Sequence, residues 1–255
     1  MLRKRIIPCL LLRRGGLVKT RNFKNPKYVG DPINAIRIFN EKEVDELIVL
    51  DIDASRDGRG PDYTLIEQFA AECFMPLCYG GGIRTVEQAR RLFALGVEKV
   101  SIQTGALAEL DLVSNLAKQF GNQSVVASID IKTDWLGRRR LYSASAGKYH
   151  TCSWQDYVAR VVRAGAGEIL INSVDRDGEM AGMDLKLIRD IAQQVEVPVI
   201  ASGGVGKLAD IANGLRSGAC AVAAGAFFVY HGPHRAVLIT YPSSDEIDAV
   251  LGEGS

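Results

Sequence analysis

Met75–Val100, MPLCYGGGIRTVEQARRLFALGVEKV, and Val197–Val222, VPVIASGGVGKLADIANGLRSGACAV, are the two stretches that decide the fold. Laid over each other without a gap, they match Pro76 to Pro198, Gly81 to Gly203 and Gly96 to Gly218, each pair 122 residues apart. Each reads as a short apolar strand, a glycine turn, an amphipathic helix closed by glycine, and the start of another strand. The same offset carries Asp53 in VLDIDAS to Asp175 in INSVDRDG, so the repeat extends to a full half of the chain.

Working outward, apolar runs recur between helix-period segments: RIIPCLL, ELIVLDI, PLCYG, KVSIQ, SVVASIDI, EILINSV, VPVIAS and AVAAGAF. Strands alternating with helices such as TVEQARRLFALG and DLVSNLAKQFG imply a parallel sheet. Two four-strand halves close into eight strands. The expected class is therefore α/β, a (β/α)8 TIM barrel with twofold half-barrel duplication, occupying residues 1–255 as one domain. An open doubly wound sheet shows the same alternation, but no G-x-G-x-x-G follows the first strand and that fold rarely duplicates in this way.

The charge balance, 31 Lys plus Arg against 30 Asp plus Glu, provides no global field for nucleic acid or an anionic membrane surface. Five cysteines without a C-x-x-C pair argue against a disulfide framework or a zinc site and for a reducing cytoplasm. The apolar stretch near the N-terminus runs straight into Arg13 and Arg14, which suits a strand and not a leader. No run reaches the roughly 18 apolar residues of a membrane span. His231 and His234 form an H-x-x-H with no third ligand in view, so no metal is expected.

In such barrels the site is built from loops after the carboxyl ends of the strands, with phosphate commonly held after strands seven and eight. ASGGVGKLAD supplies Ser202, Gly203 and Gly204 there, and AAGAFF supplies Gly225; Gly178 follows strand six. The duplicate loops, YGGGIRT with Gly81 and Gly82 and IQTGAL with Thr104, repeat the device on the opposite side. Taken singly, each loop is better explained by a tight barrel turn; as matched pairs they point to a ligand with two phosphates. Asp130 at the end of strand five and Asp177 beyond strand six face the mouth as candidate proton-transfer groups. Lys19, in a long loop after strand one, is a candidate to close over a phosphate. Arg138, Arg139 and Arg140, with Trp135 and Tyr142, read either as a further phosphate and stacking surface or as a solvated hairpin.

RIIPCL, the lysine of LVKT, GDP at Gly30 to Pro32, DELIVLDI, GGGIRTVEQARRL, EKVSI, VDRDG and VPVIASGGVG occur in this order. On these motifs, which cover nearly the whole chain, the sequence resembles the cyclase subunit of imidazole glycerol phosphate synthase. The resemblance implies a barrel that takes ammonia from a glutaminase subunit docked at its amino-terminal face and adds it to a bisphosphorylated ribulosyl-aminoimidazole-carboxamide intermediate, with no cofactor. It also implies that Arg5, Glu46, Lys99 and Glu168 form a salt-bridged ring at the barrel's base, the ammonia gate; the register independently places all four at the lower ends of strands one, two, four and six. A ring that only plugs the base for stability is the alternative.

The resemblance breaks at the upper mouth. Where the family has an aspartate that works with the match of Asp130 as the acid and base of cyclisation, this chain has Leu11, which cannot transfer a proton. Gln103 stands for a shorter amide, Asn172 for a threonine, and Gly225-Ala226 for a serine-bearing turn. An intact ammonia entrance with a missing cyclisation acid resembles the paralogues of surface-polysaccharide pathways, whose ammonia serves a sugar amidotransferase that makes acetamidino sugars. The alternatives are a true cyclase of histidine biosynthesis with Asp177, Asp51 or a water as the substitute, and a non-catalytic subunit that docks to and activates a glutaminase.

Overall fold

Alternation along each strand builds two apolar layers at once. In the first strand Ile6, Leu10 and Leu12 face outward to the helices while Ile7 and Cys9 face inward. That is the pattern of a strand buried on both sides. The computed structural model describes residues 4–252, and in it eight parallel strands close a (β/α)8 barrel.

The barrel strands are β1 Arg5–Arg13, β2 Leu47–Asp51, β3 Leu77–Gly80, β4 Lys99–Ile102, β5 Val125–Thr133, β6 Glu168–Ser173, β7 Val199–Ser202 and β8 Ala221–Ala224. Each pairs with the next; β8 pairs with β1, and β5 with β6 joins the two halves. The interior is a column of Ile7, Ile48, Cys78, Val126, Leu170, Ile200, Ala221 and Ala223, topped by the half-buried Leu11 and Leu50. The larger core lies between sheet and helices and includes Phe39, Phe69, Leu116, Val158 and Phe228.

The 122-residue repeat survives in three dimensions. The helix Val86–Ala94 begins with a capping box between Thr85 and Gln88, and the helix Leu208–Arg216 begins at Lys207 and Asp210, the same positions one repeat later. Gly81 has φ +119° and a Cβ there would lie 2.5 Å from the carbonyl oxygen of Asp51; Gly203 has φ +100° and its Cβ would lie 2.7 Å from that of Ser173. In both halves the backbone of the preceding strand passes so close that only glycine fits.

One expectation is corrected: Lys19 does not sit in a long loop. β1 turns back at Arg14-Gly15, both with positive φ, as a two-residue hairpin turn requires. The chain then forms an antiparallel ladder, Gly16–Arg21 against β1 and Lys24–Gly30 against Gly16–Arg21. A second antiparallel extension, Arg139–Ser143 with Lys148–Tyr149, continues β5. Both rise over the carboxyl ends of the strands. AVAAGAF also ends sooner as a strand than its apolar run suggests, since Ala226–Val229 turns into a short helix.

Candidate functional site

The carboxyl ends of the strands and the first hairpin enclose a cavity of about 500 Å³. Leu11, Lys19, Gly81, Gly82, Thr104, Asp130, Asp177, Gly178, Ser202, Gly203, Gly204 and Gly225 all line it.

Asp130 sits at the floor, buried, on the inward face of β5. Asn172 Nδ2 donates to its Oδ1 at 2.9 Å and Gln103 Nε2 donates to its Oδ2. Burial pushes the Asp130 carboxyl up to about 7, against the two amides, which favour the anion, and with help from nearby Asp177. The amides of Gln103 and Asn172 thus hold this carboxylate from both sides. Nothing in the sequence pointed to that role, because Gln103 and Asn172 reach Asp130 from strands far apart in the chain.

Asp177 is engaged rather than free. Its Oδ2 accepts the Thr20 hydroxyl at 2.6 Å and the Phe23 N–H at 3.1 Å, and its carbonyl accepts the Asn22 N–H at 2.9 Å. It therefore ties down the hairpin tip, where Asn22 and Phe23 both have positive φ. Burial raises its pKa, partly offset by Thr20, Phe23 and Lys19. Asp51 is raised likewise by burial; it accepts the N–H groups of Asp53 and Ala54 and lies 3.5 Å from Arg59.

Lys19 is buried, with Nζ donating to the Cys9 carbonyl at 2.6 Å, and its amine lies where a Cβ on Gly225 would be. Burial lowers its pKa. A glycine after β8 is what lets this amine reach the loop. On the opposite side, Thr104 Oγ1 bonds Ser145 Oγ at 3.0 Å, and Gly82 N–H donates to Ser55 Oγ at 3.2 Å.

The arginine run is a correction to the phosphate alternative. Arg138 bonds Asp134, Arg139 bonds Asp184 and Asp190, and Arg140 reaches Asp134 and the His150 carbonyl. None of the three lines the cavity; of that segment Tyr142 does, with Lys132 Nζ over its ring at 4.7 Å. The partners stand up to 51 residues away in sequence, which is why the run looked available.

A group the sequence reading passed over does line the cavity. Arg13 and Arg56 share the buried carboxylate of Asp53.

At the other end of the barrel Arg5, Glu46, Lys99 and Glu168 do form a ring. Arg5 Nη1 bonds Glu46 Oε2 at 2.5 Å and Nη2 bonds Glu168 Oε1 at 2.8 Å; Lys99 Nζ bonds Glu46 Oε2 at 2.9 Å and Glu168 Oε2 at 3.0 Å. Each cation touches both carboxylates, and charge alternates around the ring. Between ring and mouth the interior is lined by small or apolar side chains and by Ser101, whose buried hydroxyl has no partner among the described residues.

Residues 5–234 match the sequence profile of the family described as "Histidine biosynthesis protein". The chain belongs to that family. Within it, the chain is 55% identical over 249 residues, covering 97% of itself and 99% of the relative, to "Putative imidazole glycerol phosphate synthase subunit hisF2" of Pseudomonas aeruginosa. It is 48% identical over 253 residues to the similarly described subunit of Leptospira interrogans, covering 98% of itself and all of the relative. To "Imidazole glycerol phosphate synthase subunit HisF" of Alkaliphilus metalliredigens it is 41% identical over 232 residues, 91% and 92% of the two chains. It is a cyclase-subunit-like barrel of this synthase family. No helix among its described residues is long and apolar enough to cross a membrane.

Proposed function

We propose that this barrel receives ammonia from a glutaminase partner at its amino-terminal face and conducts it to an acceptor other than the cyclase substrate. The observation that carries this reading is the contrast on one axis: an intact four-charge ring below and Leu11 in place of a proton-transferring carboxylate above. A ring whose members each have two partners can open at one bond while the others hold, which suits a gate. The apolar interior favours neutral ammonia over ammonium, since a charge moved into it loses its hydration. The acceptor is a phosphorylated molecule gripped by the Gly81-Gly82-Thr104 and Gly178, Ser202-Gly203-Gly204, Gly225 loops, with Lys19 beside the last. A sugar amidotransferase making an acetamidino sugar for surface polysaccharide, in the cytoplasm, is the consumer this reading favours.

Labelled glutamine tests the conduit directly. With the glutaminase partner, 15N-amide glutamine and excess unlabelled ammonium, the product keeps its label if ammonia travels inside the barrel; dilution of the label by bulk ammonium overturns the reading. The second reading, a true cyclase, draws support from Asp177 and Asp51, two carboxylates in the same cavity as Asp130.

A further inference from the structure

The wall of the mouth formed by β1 and β2 carries side chains to which conduction of ammonia gives no task. Arg13, at the end of β1, donates Nε to Asp53 Oδ2 at 2.9 Å, and Arg56, in the loop after β2, donates Nη2 to Asp53 Oδ1. Asp53 is 3% exposed, whereas both guanidinium groups line the cavity. Two positive charges share one carboxylate, so the group keeps a net positive charge. Arg13 spends only Nε and Arg56 only one terminal nitrogen, and neither makes another hydrogen bond within the described residues. Both therefore retain donors, in the forked arrangement that matches phosphate oxygens.

Their place is equally specific. Ser55, the residue before Arg56, accepts the Gly82 N–H at 3.2 Å, so the arginine pair adjoins the Gly81-Gly82 loop. Leu11 and Leu50 also line the cavity, as does Asp51, whose carboxylate is engaged by the N–H groups of Asp53 and Ala54 and by Arg59 at 3.5 Å.

We propose that Arg13 and Arg56, aligned by Asp53, form an anion grip that completes the Gly81-Gly82 loop as a site for a diphosphate group. This deepens the proposed function and rests on it in one respect, that the mouth holds a phosphorylated ligand. It gives that ligand a class: a sugar or nucleoside diphosphate, whose two phosphates are adjacent, in place of two phosphates held on opposite sides of the cavity. Asp53 is a positioning residue.

The test is calorimetric titration of the full chain with inorganic pyrophosphate, inorganic phosphate and uridine diphosphate, for wild type, Arg13→Gln, Arg56→Gln, Arg56→Lys and, as control, Arg138→Gln. Thermal unfolding of each variant establishes that it is folded. Pyrophosphate should bind at least about tenfold tighter than phosphate, and each Arg→Gln change should weaken pyrophosphate about tenfold, the size expected for one charged hydrogen-bonding partner. Phosphate should change little, Arg56→Lys should fall between, and Arg138→Gln should match wild type. Uridine diphosphate binding tighter than pyrophosphate supports the grip with a nucleotide-linked ligand; equal affinity supports it with a free diphosphate recognised alone. Pyrophosphate that binds no tighter than phosphate, or binds equally in all variants, overturns the grip while leaving the phosphate loops standing. Arginine-dependent pyrophosphate binding in a protein that fails the labelled-glutamine test supports the grip and removes the ammonia reading.

Discussion

At the lower end of the barrel four charged side chains from four strands meet in an alternating ring, each matching the family pattern. At the upper end Leu11 of β1, Gln103 after β4, Asn172 of β6 and Gly225 after β8 line the mouth instead. Between them runs a largely apolar column, interrupted by the buried hydroxyl of Ser101. The two ends can carry such different chemistry because the interior layers of the barrel stack along its axis and each packs mainly on its neighbours. The lesson is chemical: the lower end is closed by a fixed geometry of paired charges, while the upper end sets one buried carboxylate, held by two amides, beside the apolar Leu11.

The sharpest way to break this contrast is at the ring. Glu46 is buried and serves both Arg5 and Lys99, so Glu46→Ala leaves two cations short of a partner and should cost about 3 kcal/mol of stability, read from denaturant unfolding. A loss below about 1 kcal/mol would mean that the ring is solvated and open on average.

At the mouth, Asp130 gives a pH signature. Its folded pKa, about 7, lies above the unfolded value, so burial favours the protonated form. Stability from this group is complete below about pH 4, where both states are protonated, and is lost as pH rises through about 7. The melting temperature of wild type should therefore fall relative to that of Asp130→Asn between those limits and run parallel to it above. A constant difference across that range would place the carboxylate in a solvated setting.

Comparing halves gives a smaller effect. Gly81→Ala and Gly203→Ala each force a Cβ against a carbonyl at a positive φ, and each should destabilise by about 1–3 kcal/mol. Similar losses in the two halves would reflect the repeat; a loss in one alone would show that its backbone approach has relaxed. Smallest of all, Arg138→Ala removes a solvated partner from the buried Asp134, which keeps the Leu136 and Arg138 N–H groups and Arg140 at 3.8 Å, and should change stability by about 1 kcal/mol and phosphate binding not at all.

The barrel was legible because its information is local and periodic: eight apolar runs, helices between them, and an offset of 122 that returns as matched helix starts, with Gln88 and Asp210 each accepting backbone N–H groups, and as matched glycines. The ring was legible through the family resemblance, with the register in agreement, since its members stand at the lower ends of their strands. The mouth was less so. Lys19 reads as a loop lysine until the Arg14-Gly15 turn folds its segment back on β1 and buries the amine. The arginines after β5 look free until the fold brings Asp184 and Asp190 to Arg139. Asp53, known first only as a repeat partner of Asp175, proves to hold Arg13, whereas Asp175 accepts the backbone N–H of Thr133. Each of these depends on contacts between distant segments, which periodicity does not encode.

Steady-state cyclase turnover, with the bisphosphorylated ribulosyl-aminoimidazole-carboxamide intermediate and ammonium salt at alkaline pH, tests the central claim most directly. Direct ammonium bypasses the partner, so only the mouth is assayed. The account predicts negligible turnover for wild type and a gain of about 10²–10⁴ for Leu11→Asp, the span of one restored proton-transfer group. Efficient turnover by wild type would contradict it, and would assign the missing step to Asp177, Asp51 or a bound water.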